Sequence, residues 1–340
     1  MLTIRSLDDI RALLRELPGP DNAAAERARA REATLTKPPG ALGRLESLAE
    51  WLSAWQGRHP PVLERCRVTV FAGSHGVAAA GVSAYPAEVT AQMVENFRRG
   101  GAAINQLCAA QGGTLTVHDV GVASPTRNFL DAPAMTASEC TDAFARGMAA
   151  LDGGADILCV GEMGIGNTTA AAALCHALYG GAAEDWTGPG TGVTGAALAN
   201  KVRVVREAAA LHAPQIADGI DALQRLGGRE MAAMAGAIVA ARPARTPVIL
   251  DGYVSCAAAA ALASCRDGAL DHCLAGHLSA EPAHRQLLAC LGKAPLLDLG
   301  MRLGEGSGAT LALAILRAAL ACHTGMASFA EAGVAAREPP

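Results

Sequence analysis

A chain of 340 residues that is 51% hydrophobic, 18% charged and 3% aromatic, with a formal net charge of −4, is too apolar and too weakly charged to be a disordered polymer. Its 38 glycines follow no three-residue period, which excludes collagen. The absence of a basic run removes the electrostatic footprint of a nucleic-acid binder.

The first residues, MLTIRSLDDIRALLREL, carry acids where a secretory signal would have its apolar core. Helices are predicted over Ser6–Leu17 and Asp21–Glu32, split by Pro18-Gly19-Pro20. A third runs from Ala41 to Gln56, where Leu42, Leu45, Leu48, Ala49 and Leu52 recur at helical spacing. Residues 58–62 (RHPPV) read as a linker. Six short apolar runs follow: Arg67–Ala72, Thr114–Val120, Asp156–Gly161, Pro247–Asp251, Leu270–Ala275 and Pro295–Leu299. Unalternating runs separated by helical stretches predict strands buried on both faces of a parallel sheet, hence an α/β fold. The longest apolar stretches, Met231–Ala241 and Ala309–Cys322, are too short for a membrane span or carry Arg317. Ala309–Ala321 is predicted as an apolar helix returning to the N-terminal helices, and EAGVAAREPP at the end as a frayed tail. The resulting division is 1–61 for N-terminal helices, 62–305 for a large α/β unit and 306–340 for the returning helix.

Ten cysteines stand singly in apolar segments with no CxxC pair, as reduced, buried thiols of a cytoplasmic protein do. The nine histidines show no HxH or HxxxH spacing, so no metal site is expected.

Ligands of open parallel sheets sit beyond the carboxyl ends of the strands. The segments there are GSHG (73–76), HDVG (118–121), GEMGIGNTT (161–169), DGYVS (251–255), GHLSAEP (276–282) and MRLGEGSG (301–308). In GEMGIGNTT the glycines allow close approach of an anion to a helix N-terminus, and Asn167, Thr168 or Thr169 is placed to cap that helix. The GPGTG loop (188–192) opens a further helix near Ala196–Leu211, along which Lys201 is either a phosphate ligand or a solvated surface residue. The GxGxxG match at 190–195 lacks a preceding strand and carries no dinucleotide reading. Glu305, between Gly304 and Gly306, is either a partly desolvated general base or an acid favoured by a helix dipole. Glu162 and Asp251 hold similar places. His75 and His118 either donate to a substrate or bond a carbonyl. His277, His284 and Glu281-Pro282 read as structural, the last as a helix start.

Taken together, KPPGALGRLE (37–46), GVSAYPAEVTAQM (81–93), GEMGIGNTT, LGGREMAAMAG (226–236), PVILDGYVSCAAA (247–259), HLSAEPAH (277–284) and PLLDLGMRLGEGSGA (295–309) resemble the nicotinate-nucleotide–dimethylbenzimidazole phosphoribosyltransferase family. The resemblance spans about residues 30–325. It implies a Rossmann-like six-stranded parallel sheet flanked by helices, a smaller helical domain from both chain ends, and a homodimer. It also implies transfer of phosphoribose from nicotinate mononucleotide to 5,6-dimethylbenzimidazole, giving α-ribazole 5′-phosphate and nicotinate, with no metal or cofactor. By that resemblance Glu305 is the general base and Glu162 shares its pocket. Gly164, Gly166, Asn167, Thr168, Lys201, Arg302 and Gly304 would hold the phosphate and ribose, and Tyr85, Met93 and Leu303 the base. Ser74 and Pro189 depart from the family pattern, leaving no carboxylate and no basic side chain at those points. The rivals are a Rossmann oxidoreductase using GTGVTG, a transferase using a pyrophosphate donor, and a non-catalytic nucleotide-binding regulator.

Overall fold

The computed structural model describes residues 4–335. Three helices precede the sheet: α1 (Leu7–Arg15), α2 (Asn22–Glu32) and α3 (Arg44–Gln56). Ser6 and Asp21 are the N-caps of the first two, their side chains accepting the amides of Asp9 and Ala24, so both predicted starts mark true helix boundaries.

The six predicted strands form one all-parallel sheet: β1 (Cys66–Ala72), β2 (Gly113–Asp119), β3 (Ile157–Met163), β4 (Val248–Leu250), β5 (Cys273–His277) and β6 (Pro295–Leu297), in the order β2-β1-β3-β4-β5-β6. One expectation is displaced. The sequence places the fifth strand at Leu270–Ala275, but Leu270–His272 form a turn closed by the Cys273 amide on the Leu270 carbonyl, and pairing starts at Cys273. Leu270 and His272 are buried there and only the His272 carbonyl reaches the sheet, accepting the Val248 amide at 2.9 Å, so their apolar surroundings mimic a strand in the sequence.

After β1 come α4 (Val89–Arg98) and α5 (Ala103–Gln111), and after β2 comes α6 (Ala137–Ala149). Between β3 and β4 lie α7 (Asn167–Tyr179), α8 (Ala183–Trp186), α9 (Gly195–His212), α10 (Gly219–Leu226) and α11 (Arg229–Ala241). Helix α12 (Tyr253–Ala263) follows β4, α13 (Ala283–Cys290) follows β5, and α14 (Ser307–Gly325) and α15 (Phe329–Ala332) follow β6. The helices cover both faces. Val68, Val70, Ile157 and Cys159 point toward α3, α5 and α14, whereas Phe71, Leu158 and Val160 join the larger core with α6, α7, α11 and α12. Burial on both sides is why the inner strands β1, β3 and β4 read as continuous apolar runs, whereas the edge strands β2 and β6 are only partly buried, contrary to the expectation. Small residues set the spacing of the larger layer: a Cβ on Gly147 of α6 or on Gly236 of α11 would strike the Ala233 or Phe144 carbonyl of the facing helix.

The two chain ends meet. Helix α3 packs on both α2 and α14, Leu35 bridges to Ser328, and Lys37 ties Glu32 to Glu46 at 3.0 and 2.7 Å. Helix α1 instead packs on α6 and α10. Helix α14 is longer than predicted. Its 19 residues give it the length and composition of a membrane span, because Ser307-Gly308 and His323-Thr324-Gly325 extend the apolar stretch. It is a core helix, packed on β3, β4, β5 and β6 as well as on α3 and α5. The predicted frayed tail is partly ordered: Glu331 and Ala332 complete α15 behind a Ser328 capping box, while residues 336–340 lie outside the described residues.

Candidate active site

A cavity of about 480 Å³ opens over the carboxyl ends of β3 to β6, where an open parallel sheet presents its ligands. Of the predicted site residues, Glu162, Gly164, Asn167, Thr168, Arg302, Gly304 and Glu305 line it, and Tyr85, Met93 and Leu303 form its more apolar side. Gly166 and Lys201 do not. Gly166 faces His75, Val77 and Ala78. Lys201 is fully buried, which overturns the reading of a solvated surface lysine. Its ammonium donates to Thr168 Oγ1 at 2.8 Å and to the Gly188 carbonyl at 2.9 Å, so it stands directly behind the loop that opens α7. Asn167, Thr168 and Thr169 do not cap that helix: the N-cap is Gly166, without a side-chain cap. The Asn167 amide is directed instead to Glu162 Oε2.

The acids at the strand ends have different surroundings. Asp251, after β4, accepts the amides of Gly306, Gly308 and Ala309 at 3.1, 2.7 and 2.9 Å and so satisfies the N-terminus of α14. Glu162, the next-to-last residue of β3, is buried. Burial, followed by the negative charges of Asp251, Glu230 and Glu305, holds its carboxyl well above the usual range. Glu305 is also buried, yet its Oε2 has no hydrogen-bond partner. Burial pushes it up to about 7, with the Ile104 amide at the start of α5 opposing and Asp251 adding to the rise. Its backbone is left-handed, at φ 65°, a conformation uncommon outside glycine and often found where a side chain must be aimed.

Sequence reasoning missed part of the lining: Thr191, Ser279 and Glu281 also face the cavity. Glu281 does precede a helix, α13, as predicted, but its carboxylate accepts the Gly190 amide at 2.8 Å and has Oε2 unpartnered. Burial raises its pKa, against the pull of Lys201. Burial likewise lowers Lys201 to about 8, with Glu281 pulling the other way. The two therefore stabilise each other's charge across the GPGTG loop. A glutamate before a proline carries no sequence signal that distinguishes this role from a helix start.

GSHG and HDVG stay outside the cavity. His75 pairs with Glu230 at 2.8 Å, both side chains wholly buried, and His118 stacks on Phe71. Both are packing histidines. Ser74 donates to the Val122 carbonyl at 2.8 Å. His284 accepts the Ser279 amide at 2.8 Å and contacts Cys256 Sγ at 3.2 Å, in keeping with its structural reading. All ten cysteines are free, though Cys290 is exposed, contrary to the expectation that all are buried. Among the described residues no three His, Cys, Asp or Glu side chains converge as metal ligands.

Comparison with known proteins gives this geometry a relationship. A family model described as "Phosphoribosyltransferase" matches residues 17–334. The nicotinate-nucleotide–dimethylbenzimidazole phosphoribosyltransferase of Methylocella silvestris is 60% identical over 331 residues, covering 97% of each chain. That of Ruegeria pomeroyi is 61% identical over 331 residues, covering 97% of this chain and 98% of its own. The crystal structure of CobT from Thermus thermophilus superposes with a TM-score of 0.87 at 45% identity, over 92% of this chain and 99% of that one. An all-parallel sheet in this order, with the cavity at its carboxyl edge and identity sustained along nearly the whole chain, makes this protein an enzyme of the nicotinate-nucleotide–dimethylbenzimidazole phosphoribosyltransferase family.

Proposed function

We propose that the chain transfers phosphoribose from nicotinate mononucleotide to 5,6-dimethylbenzimidazole, forming α-ribazole 5′-phosphate and nicotinate for the lower nucleotide loop of cobalamin, with Glu305 as general base. The observation that carries this reading is the unpartnered, buried Glu305 oxygen beside the cavity. A base with a pKa near 7 is matched to proton transfer at neutral pH.

In this reading the carboxylate takes the N–H proton of the azole while the other ring nitrogen attacks ribose C1′. The C1′–N bond to the pyridinium breaks as the new bond forms on the opposite face, and the bonding pair returns to the ring nitrogen, leaving nicotinate with an uncharged pyridine ring. The leaving group thus needs no proton. Glu162, held neutral by its surroundings, adds no second negative charge against the nicotinate carboxylate.

The N-terminus of α7 supports the phosphate placement. The Ile165 and Asn167 amides already donate to Thr90 Oγ1 and the Gly164 carbonyl, leaving those of Gly164, Gly166 and Thr168 to suit an anion, with Lys201 behind Thr168 and Arg302 across the cavity, bonded to the Gly190 carbonyl at 2.9 Å. Gly166 serves by letting the loop lie against His75 and Val77 more than by contact. Tyr85, Met93 and Leu303 form the acceptor side. On the same reading the enzyme is a cytoplasmic homodimer needing no metal or cofactor. Residues 62–305 would form its large domain, and α2, α3 and α14, which pack together, the core of the smaller helical one. The test is direct: wild-type protein and Glu305→Gln are mixed with nicotinate mononucleotide and dimethylbenzimidazole, and nicotinate is followed chromatographically. Release by the wild type and its loss in the variant are expected. Near-normal release by a folded variant removes Glu305 from the mechanism.

A further inference from the structure

The GPGTG loop is held more firmly than its composition suggests. Gly188 offers its carbonyl to Lys201 at 2.9 Å. Gly190 gives its amide to Glu281 at 2.8 Å and receives Arg302 on its carbonyl at 2.9 Å. Its neighbours leave no room for a side chain: a Cβ on Gly188 would lie 2.0 Å from Glu281 Oε2, and one on Gly190 2.4 Å from Thr168 Oγ1. Three charged side chains, from α9, the β5–α13 loop and the β6–α14 loop, thus fix residues 188–190. Thr191, the next residue, starts from an immobile point.

Across the cavity mouth the chain at Ser83–Tyr85 has no such support. It belongs to no helix or strand, and Ala84, Tyr85, Pro86 and Ala87 are all exposed. Among the described residues, the hydrogen bonds of Ser83, Ala84 and Tyr85 either stay within that segment or end on Thr191. The Ala84 amide donates to Thr191 Oγ1 at 3.0 Å. The Ser83 and Thr191 hydroxyls lie 2.9 Å apart, and the Tyr85 amide donates to Ser83 Oγ at 3.1 Å. Upstream the chain is held by the buried Val82 and by Asn200 on the Ala80 carbonyl, but from Ser83 to Tyr85, which lines the cavity while 56% exposed, the hydrogen bonds that leave the segment end on one threonine hydroxyl.

We propose that Thr191 is a positioning residue for the acceptor base: its hydroxyl latches the Ser83–Tyr85 segment onto the fixed GPGTG loop and so sets the wall against which the azole packs. The proposal rests on the reading of Tyr85 as part of the acceptor side. Thr191 touches no reacting atom in this role. Its loss is felt through Tyr85 and falls on the acceptor more than on the nucleotide.

Thr191→Val keeps the side-chain shape and removes the hydroxyl, and Thr191→Ser keeps the hydroxyl. Two-substrate initial-rate kinetics on the full chain, following nicotinate release, should show Thr191→Val raising the KM for dimethylbenzimidazole about tenfold, the scale of one or two lost hydrogen bonds. The KM for nicotinate mononucleotide should move less than about twofold, and Thr191→Ser should restore the acceptor KM. Ser83→Ala, which leaves the Ala84 amide on Thr191, should raise the acceptor KM less than Thr191→Val does, and the double variant should be no worse than Thr191→Val, which already removes both bonds of the latch. An unchanged acceptor KM, equal rises in both KM values, or failure of Thr191→Ser to restore binding overturns the proposal. Absence of nicotinate release by the wild type overturns instead the assigned reaction, and the acceptor role with it.

Discussion

Asp251 directly follows β4 and Glu305 ends the loop from β6 to α14, and both are buried carboxyl groups beside the start of α14. Asp251 spends its oxygens on three backbone amides of residues 306–309, whereas Glu305 retains an oxygen with no partner. A carboxyl group whose oxygens accept several amides is committed to holding a helix end, and one that keeps an oxygen free at the same depth is available for proton transfer. The difference lies in which of them the helix N-terminus engages, and it follows from the left-handed turn at Gly304–Gly306.

The largest expected effect that separates the two acids is catalytic. Glu305→Gln should lower kcat for nicotinate release by about 10²–10⁴, the usual range for a general base, with the circular-dichroism spectrum unchanged. Asp251→Ala should act on the fold. Leaving the α14 amides buried without an acceptor should cost about 3 kcal/mol, read as a lower denaturant midpoint. If Asp251→Ala lost activity at full stability, the contrast between the two acids would fail.

The comparison is sharpened by pH. In the proposed role Glu305 works ionised, so kcat/KM should rise as pH increases through neutrality, with an inflection at about 7, and Glu305→Gln should lack that inflection. Stability should move in the opposite direction and by less. A carboxyl whose folded pKa is raised favours the protonated fold; its contribution is complete below the ordinary value of 4.5 and is lost as pH rises through about 7. Glu305→Gln should therefore melt above the parent on the alkaline side of that window and level with it at pH 4.5. A constant difference in melting temperature across that range would contradict the assigned burial.

Much of the sheet is legible in the sequence because both faces are covered, which makes strands such as RVTVFA and DILCVG uniformly apolar. The fifth strand is misplaced because Leu270 and His272 are buried for reasons unrelated to pairing. Helices α4, α5 and α6 escape a sequence reading, since their apolar stripes are narrow and interrupted: α5 buries only Ile104 and Cys108. In the site, residues on glycine-rich loops stand out because the loops themselves are conspicuous. Lys201 and Glu281 are harder to read. Their functions depend on a pairing between distant parts of the chain, and each has a common alternative, a surface lysine or a helix-starting acid, that composition cannot reject. The contrast between Asp251 and Glu305 is invisible for the same reason.

The placement of Glu305 between β6 and α14 also has a consequence in time. Among the cavity-lining residues it is the last in chain order, and the anion that anchors its flanking turn, Asp251, has its amide partners only at residues 306–309. The start of α7 and the GPGTG segment both come from earlier stretches of chain. On the proposed reading, a chain emerging during synthesis would bring together most of its cavity lining before it holds its base, and competence for proton transfer would arrive with the closing of the final long helix onto the sheet.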